Sequence, residues 1–139
     1  MEYLIKKCSK ILKKISKQFE ISYGLIFGSV VSGYRRKDSD LDIAVKLEKT
    51  PSCFEEELRI ITKIAEVFEK ELQIETDVII LNCVSSGLRY EIFATGKLLY
   101  SKNFQKYIEE KSEIINKFLD FKHILENHYK KIVKEIAYG

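Results

Sequence analysis

Hydrophobic residues recur along this chain with two periods, and the switches between them outline the elements. Over residues 2–19, Leu4, Ile5, Cys8, Ile11, Leu12, Ile15 and Phe19 fall at helical spacing, with lysines filling the other face. Tyr23-Gly24-Leu25-Ile26-Phe27 then reads as a short buried strand that runs into the turn signal Gly28-Ser29. The polar, basic stretch 32–40 predicts a loop or a short helix followed by a loop. From Leu41 to Val45 the period becomes two: Leu41, Ile43 and Val45 alternate with Asp40, Asp42 and Ala44. One face of that strand is apolar, and the other opens with two carboxylates.

Ser52-Cys53-Phe54-Glu55 has the form of a capping box behind Pro51 and predicts a helix start. The apolar stripe of that helix is Phe54, Leu58, Ile61, Ala65, Phe68 and Leu72. Thr76 to Leu81 is a third strand, apolar and β-branched. A short helix is expected from Ser86 to Ala94, stopped at Gly96, and Leu98-Leu99-Tyr100 is extended. From Asn103 to Ile136 no Gly or Pro interrupts a helix. Such a helix spans about 50 Å, longer than a domain this small is wide, so part of it must project, fold back or pack on a partner. Ile114, Phe118, Phe121, Leu125, Tyr129, Ile132 and Ile136 step by four and three, as in a coiled-coil seam. The pattern divides the chain into residues 1–100, a domain that includes the N-terminal helix, and 101–139, a helical extension of it.

Length and composition narrow the picture. At 139 residues there is room for one core, and the balance of apolar and charged residues is that of a globular protein. A net charge of +3 does not by itself imply a nucleic-acid partner, and none is expected. No apolar run approaches the ~20 residues that span a bilayer, and the lysine-rich start lacks the apolar core of a signal peptide. Cys8, Cys53 and Cys83 form no CxxC and no zinc spacing with a histidine. They are expected as buried free thiols in a reducing cytoplasm.

The chemistry concentrates in one region. Asp40 and Asp42 lie two apart on a strand, so their side chains share a face. Two carboxylates held that close repel unless a cation sits between them. Aspartate oxygens suit Mg²⁺, with substrate phosphates completing its shell. Asp77, in Glu75-Thr76-Asp77-Val78-Ile79, faces the same side if its strand is adjacent. Three carboxylates are enough for two metal ions and an in-line phosphoryl-type displacement. Gly28 lets backbone approach a phosphate, and a helix start at Ser29 offers N–H donors and a hydroxyl. Arg35, Arg36 and Lys37 are close enough in the chain to neutralise outer phosphates. Each piece alone is common. The order is the specific signal: strand, Gly-Ser, ten residues, Asp-x-Asp opening a strand, then an acid on a later strand.

Gly28-Ser29-Val30-Val31-Ser32-Gly33 through Ser39-Asp40-Leu41-Asp42-Ile43-Ala44-Val45 resembles the signature of the DNA polymerase β-like nucleotidyltransferase superfamily. Asp77-Val78-Ile79-Ile80-Leu81-Asn82, Leu88-Arg89-Tyr90-Glu91-Ile92 and Gly96-Lys97-Leu98-Leu99-Tyr100 are similar to its minimal nucleotidyltransferase (MNT) branch. The resemblance covers residues 20–100. It implies an α/β (α+β) fold, with a small mixed sheet packed on helices. It also implies Mg²⁺, in one or two ions, on Asp40, Asp42 and Asp77, with Asp77 helping to deprotonate the acceptor hydroxyl. Gly28 and Ser29, assisted by Arg35 and Arg36, would hold the triphosphate of ATP. The implied reaction moves AMP to a hydroxyl and releases pyrophosphate, and similar antitoxins modify a tyrosine of a HEPN-domain toxin. One departure stands out: Val31-Ser32 occupies the place of the family's Ala followed by Arg or Lys.

The chain is not itself the toxin of such a pair. The HEPN motif is Arg-x(4–6)-His, but the only histidines are His123 and His128, and no arginine follows Arg89. Two alternatives stay open beside the protein-modifying enzyme. One is a non-catalytic antitoxin that neutralises its partner by association. The other is an enzyme acting on a small molecule such as an aminoglycoside, although those enzymes usually carry a further substrate-binding domain. The C-terminal seam also permits homo-oligomerisation.

Overall fold

The computed structural model describes residues 2–33 and 40–138. Its sheet has four strands, β1 (Ile21–Phe27), β2 (Leu41–Leu47), β3 (Thr76–Ile80) and β4 (Lys97–Ser101), in the order β3-β2-β1-β4. β1 pairs antiparallel with both β2 and β4, whereas β2 and β3 are parallel. The sheet is therefore mixed, as the resemblance implies. A parallel pair needs a crossover, and the helix between β2 and β3, α3 (Phe54–Leu72), supplies it.

Period-two alternation gives the sheet two apolar faces. On one, Ile26, Leu41, Ile43, Val45, Leu47, Val78 and Ile80 pack against Cys8, Ile11, Leu12 and Ile15 of α1 (Glu2–Ile15) and against Ile64 and Phe68 of α3. On the other, Tyr23, Leu25, Ala44 and Leu81 meet Ile92 and Phe93 of α4 (Ser86–Thr95) and Tyr107 of α5 (Phe104–Tyr138). A sheet covered on both faces accounts for strands that are nearly continuous apolar runs.

Several element boundaries differ from the sequence reading. α1 stops at Ile15, and Phe19 follows in a turn that ends on Glu20 at φ 52°. The third strand ends at Ile80, and Leu81–Cys83 form a 3₁₀ turn. The capping contact of α3 comes one residue late: Cys53 is the N-cap, and the Glu56 carboxylate, not that of Glu55, accepts from the Ser52 backbone N–H at 2.9 Å. Phe54 and Leu58 of the expected α3 stripe are exposed, Phe54 at 72%. The cause is length: 19 helical residues span about 28 Å and overshoot a five-residue strand of about 17 Å. Of the three cysteines only Cys8 is buried, while Cys53 and Cys83 lie at exposed element ends.

The β2–β3 seam is closed at its far end by a side chain standing in for backbone. At the far end, Asn82 Oδ1 accepts from Leu47 N–H at 2.9 Å, and Asn82 Nδ2 donates to Leu47 O at 3.0 Å. This amide extends the ladder one step beyond the last residue of β3. At the near end, Leu41 N–H donates to Glu75 O at 2.8 Å, and Thr76 N–H donates to Glu69 Oε1 at 3.2 Å.

α5 is one continuous helix of 35 residues. Its first third seals the second core layer, and Phe118 stacks on Tyr90 of α4 with centroids 4.0 Å apart. Beyond Phe118 the same stripe continues without cover: Phe121 is 58% exposed, Tyr129 69% and Ile136 80%. The long helix thus projects rather than folding back. His123 and His128 are exposed on this outer part.

Core and overhang should respond differently to truncation. Phe68→Ala empties a fully buried site and is expected to cost about 3–5 kcal/mol, whereas Phe121→Ala should stay within about 0.5 kcal/mol, both read by urea unfolding. Thiol accessibility gives a second check. Burial pushes the Cys8 thiol up to about 11, so a disulfide reagent at pH 8 should modify Cys53 and Cys83 in the native protein and Cys8 only after denaturation.

Candidate active site

The strand pairing that builds the sheet also builds the site. Asp42 is the second residue of β2 and Asp77 the second of β3, and the parallel register sets them opposite each other. Adjacent strands lie about 4.8 Å apart, and residues in register share a face. The two carboxylates therefore stand side by side on the α4/α5 face of the sheet, at its open end. Asp40 is not part of the strand as the alternation suggested; it immediately precedes β2 and is half-buried.

On the other side of Asp42, β1 delivers Phe27 as its antiparallel partner and then turns at Gly28. Gly28 has φ 77°, a left-handed conformation that disfavours any Cβ. A Cβ built there would overlap Asp42 Oδ2. The missing side chain thus creates the space the Asp42 carboxylate occupies. Gly28 is also the N-cap of α2 (Ser29–Ser32), its carbonyl accepting from Val31 N–H at 3.2 Å and Ser32 N–H at 3.1 Å. Ser29 opens this short helix as expected, and its N–H lacks an intrahelical partner. Ser32, which the resemblance sets against a basic residue, turns its hydroxyl back to Ser29 O at 3.2 Å. It brings no positive charge. Arg35 and Arg36, expected on the phosphate side, lie outside the described residues, as do Lys37 and Asp38.

The electrostatics of the cluster fall on Asp42. Burial raises its pKa, and the neighbouring charges of Asp77 and then Asp40 raise it further. A raised carboxylate pKa means that the ionised form is disfavoured in the fold. Among the described residues, no three His, Cys, Asp or Glu side chains are gathered closely enough to hold a metal ion by themselves. Carboxylate oxygens are the donors Mg²⁺ takes together with waters and substrate phosphates. Two clefts flank this end of the sheet, and Asp42 and Asp77 line the first. One, of about 670 Å³, runs beside β3 and is lined by Asp42, Asp77, Thr62, Glu66 and Glu69. The other, of about 530 Å³, lies between α2 and α4, with Gly28, Phe27, Val31, Leu88 and Ile92 on its walls.

The motif residues on α4 prove structural. Arg89 Nε donates to Leu81 O and Nη2 to Val84 O, both at 3.2 Å, clamping the turn after β3. Tyr90 is the platform for α5. The sequence reading missed a buried polar group at the opposite end of β2. Tyr23 faces Glu110 there; its burial and that carboxylate push the phenol pKa up, partly opposed by Arg89. The available signal was Glu110 itself, an acid three residues from Tyr107 on the seam side of the long helix.

The sign of the Asp42 shift gives a pH prediction. An acid whose folded pKa is raised contributes stability below its unfolded pKa and loses it as pH rises through the folded value. Asp42→Asn should therefore raise Tm at pH 7 and lose that advantage toward pH 3, measured by calorimetry in metal-free buffer. Gly28→Ala should cost about 1–2 kcal/mol from backbone handedness alone, with more from the clash on Asp42.

The comparisons with known proteins agree with this geometry. The family model described as polymerase beta, nucleotidyltransferase matches residues 9–105. No curated protein matches the chain at a significant level. Among solved structures, a chain of a toxin–antitoxin crystallised with AMP-PNP is similar, with TM-score 0.63 and 18% identity over 93% of this chain and 98% of that one. The MntA–HepT toxin–antitoxin gives TM-score 0.61 at 18% identity, covering 99% of both chains. The complex of tri-AMPylated Shewanella oneidensis HEPN toxin with its MNT antitoxin gives 0.58 at 18%, covering 98% of both. At such identity these structures establish the fold. The family match spans most of the chain and contains every element that positions Gly28, Asp42 and Asp77, so this protein belongs to the polymerase β nucleotidyltransferase family.

Proposed function

We propose that this protein is a Mg²⁺-dependent nucleotidyltransferase that moves AMP from ATP to a hydroxyl of a partner protein, a HEPN-type toxin, and thereby acts as its antitoxin. The observation that carries the reading is the in-register pair Asp42–Asp77 packed beside the left-handed Gly28. A fold gains no stability from two carboxylates held together, one of them partly desolvated. Their arrangement becomes favourable once a cation and a triphosphate share the site.

In this reading, Asp40, Asp42 and Asp77 would hold Mg²⁺, which would supply charge neutralisation for a departing pyrophosphate. Ser29 offers its N–H and hydroxyl to the phosphates, and Gly28 keeps the approach open. An acceptor oxygen forms a bond to the α-phosphorus, the bond from that phosphorus to the β-bridging oxygen breaks, and the hydroxyl proton passes to Asp77. Asp77 suits that role because it is the most exposed of the three carboxylates and sits on the edge strand, where an acceptor can approach.

A protein acceptor is supported by the surface of α5. The uncovered stripe of α5, from Phe121 to Ile136, is a contiguous apolar surface of the kind that marks protein association sites. The similar solved structures support a HEPN toxin as the partner, since they are described as toxin–antitoxin complexes, one with AMPylated HEPN toxin. The same stripe would also serve a non-catalytic antitoxin, and the experiment below separates the two.

Labelled ATP, Mg²⁺ and the toxin encoded beside this chain are the components of the test. Wild type should label the toxin, and Asp40→Ala with Asp42→Ala should reduce labelling at least about 10³-fold while the circular dichroism spectrum is kept. Equal labelling by the double variant would show that the site is misassigned. Toxin neutralisation without any labelling would identify a binding module instead. Leu125→Glu with Ile132→Glu should weaken toxin capture at least about tenfold and leave Tm within a few degrees, because both side chains are exposed.

A further inference from the structure

β3 is an edge strand of five residues, and it carries Asp77. Its inner rim bonds to β2. Among the described residues its outer rim meets no strand, so N–H groups on that side need partners from elsewhere. Thr76, the residue before Asp77, directs its N–H outward, and Glu69 Oε1 on α3 accepts it at 3.2 Å. The connection between Glu69 and Thr76 is short and tightly bonded. Gln73 at φ 58° closes α3 by donating its N–H to Glu69 O at 2.8 Å, and Thr76 Oγ1 donates to Ile74 O at 3.0 Å. Glu69 thus binds the turn through its backbone and the strand through its side chain.

That contact opposes a specific force. Asp42 and Asp77 repel across the β2–β3 seam, and Asp42 sits on the inner, better anchored strand. Relaxation would slide the start of β3 along the seam and out of register, and the bond from Thr76 N–H to Glu69 ties that residue to α3 against such a slide. We infer that Glu69 is a positioning residue: its carboxylate holds the first residue of β3 so that Asp77 stays in register with Asp42 before metal and nucleotide arrive. The inference rests on reading these two aspartates as the metal-binding pair. Glu69 is placed to act through Thr76, although its carboxylate also lines the cleft beside Asp77. Positioning requires an acceptor at this point, whereas a direct electrostatic role would require a charge. Glutamine supplies the acceptor without the charge, and alanine supplies neither.

The test compares wild type, Glu69→Gln and Glu69→Ala by amide hydrogen exchange and by calorimetric titration with Mg²⁺ and AMP-PNP. Glu69→Ala should speed exchange of the Thr76 amide, leave Ile79, whose N–H faces β2, protected, and weaken Mg²⁺–AMP-PNP binding about 10- to 100-fold, as loss of a group that orients metal ligands does. Glu69→Gln should keep Thr76 protected and retain affinity to within about threefold of wild type. Unchanged exchange and affinity in Glu69→Ala would overturn the inference. So would a loss of affinity in Glu69→Gln with Thr76 still protected, since that outcome assigns the effect to charge. If wild type itself fails to bind Mg²⁺–AMP-PNP, the nucleotidyltransferase reading fails on its own. The exchange pattern, with the Asp77 amide chemical shift moving in Glu69→Ala and not in Glu69→Gln, then decides whether Glu69 positions the strand.

Discussion

Two like charges held in register across a parallel strand pair impose the constraint around which this molecule is arranged. Asp42 and Asp77 come together because Leu41–Val45 and Thr76–Ile80 match residue for residue along the β2–β3 seam. The register could slip to relieve the repulsion, but a one-residue slip would turn Val78 and Ile80 out of the core. Hydrophobic burial on the α1/α3 side of the sheet therefore enforces electrostatic strain on the α4/α5 side. The strain is small beside the burial that opposes it, since each buried aliphatic side chain contributes about 1.5–3 kcal/mol.

The rest of the architecture steadies that seam. The α3 crossover makes the parallel pairing possible and brings Glu69 to the start of β3. Asn82 closes the far end by bonding both the N–H and the carbonyl of Leu47. Arg89 fixes the turn that follows by holding two carbonyls. Gly28 leaves Asp42 the room that any other residue would fill. A motif that reads as a string of catalytic letters is thus largely a set of positional supports for two carboxylates. The α4 segment adds a further task, because Tyr90 is the platform from which α5 leaves the domain.

α5 shows how one stripe serves two environments. Tyr107, Ile114 and Phe118 lie over the second core layer, and from Phe121 onward the same periodicity faces outward. The spacing repeats after eleven residues, from Ile114 to Leu125 and from Leu125 to Ile136. An eleven-residue repeat stays nearly in phase with a straight helix. The stripe therefore keeps its direction from the domain to the tip instead of winding around it.

The amino-acid sequence by itself determined the kinds of element and their order, because the periods 2 and 3.6 are local properties of the chain. It also determined the candidate chemistry, since Gly28-Ser29 and Asp40-Leu41-Asp42 are contiguous and Asp77 lies in a recognisable strand. The ends of elements were less legible. Phe54 and Leu58 fit the helical stripe of α3, yet they are exposed, because a helix pattern does not reveal how far the covered strand extends. Asp40 fits the alternation of β2 but precedes it, because Leu41, tied to Glu75, is where pairing begins. Only the tertiary structure decided that β2 and β3 are parallel neighbours with Asp42 opposite Asp77, that Gly28 makes room for one particular carboxylate, and that the second half of α5 stands uncovered. These outcomes depend on contacts between residues far apart in the chain, and neither periodicity nor spacing carries information about which distant strand or helix face a side chain will meet.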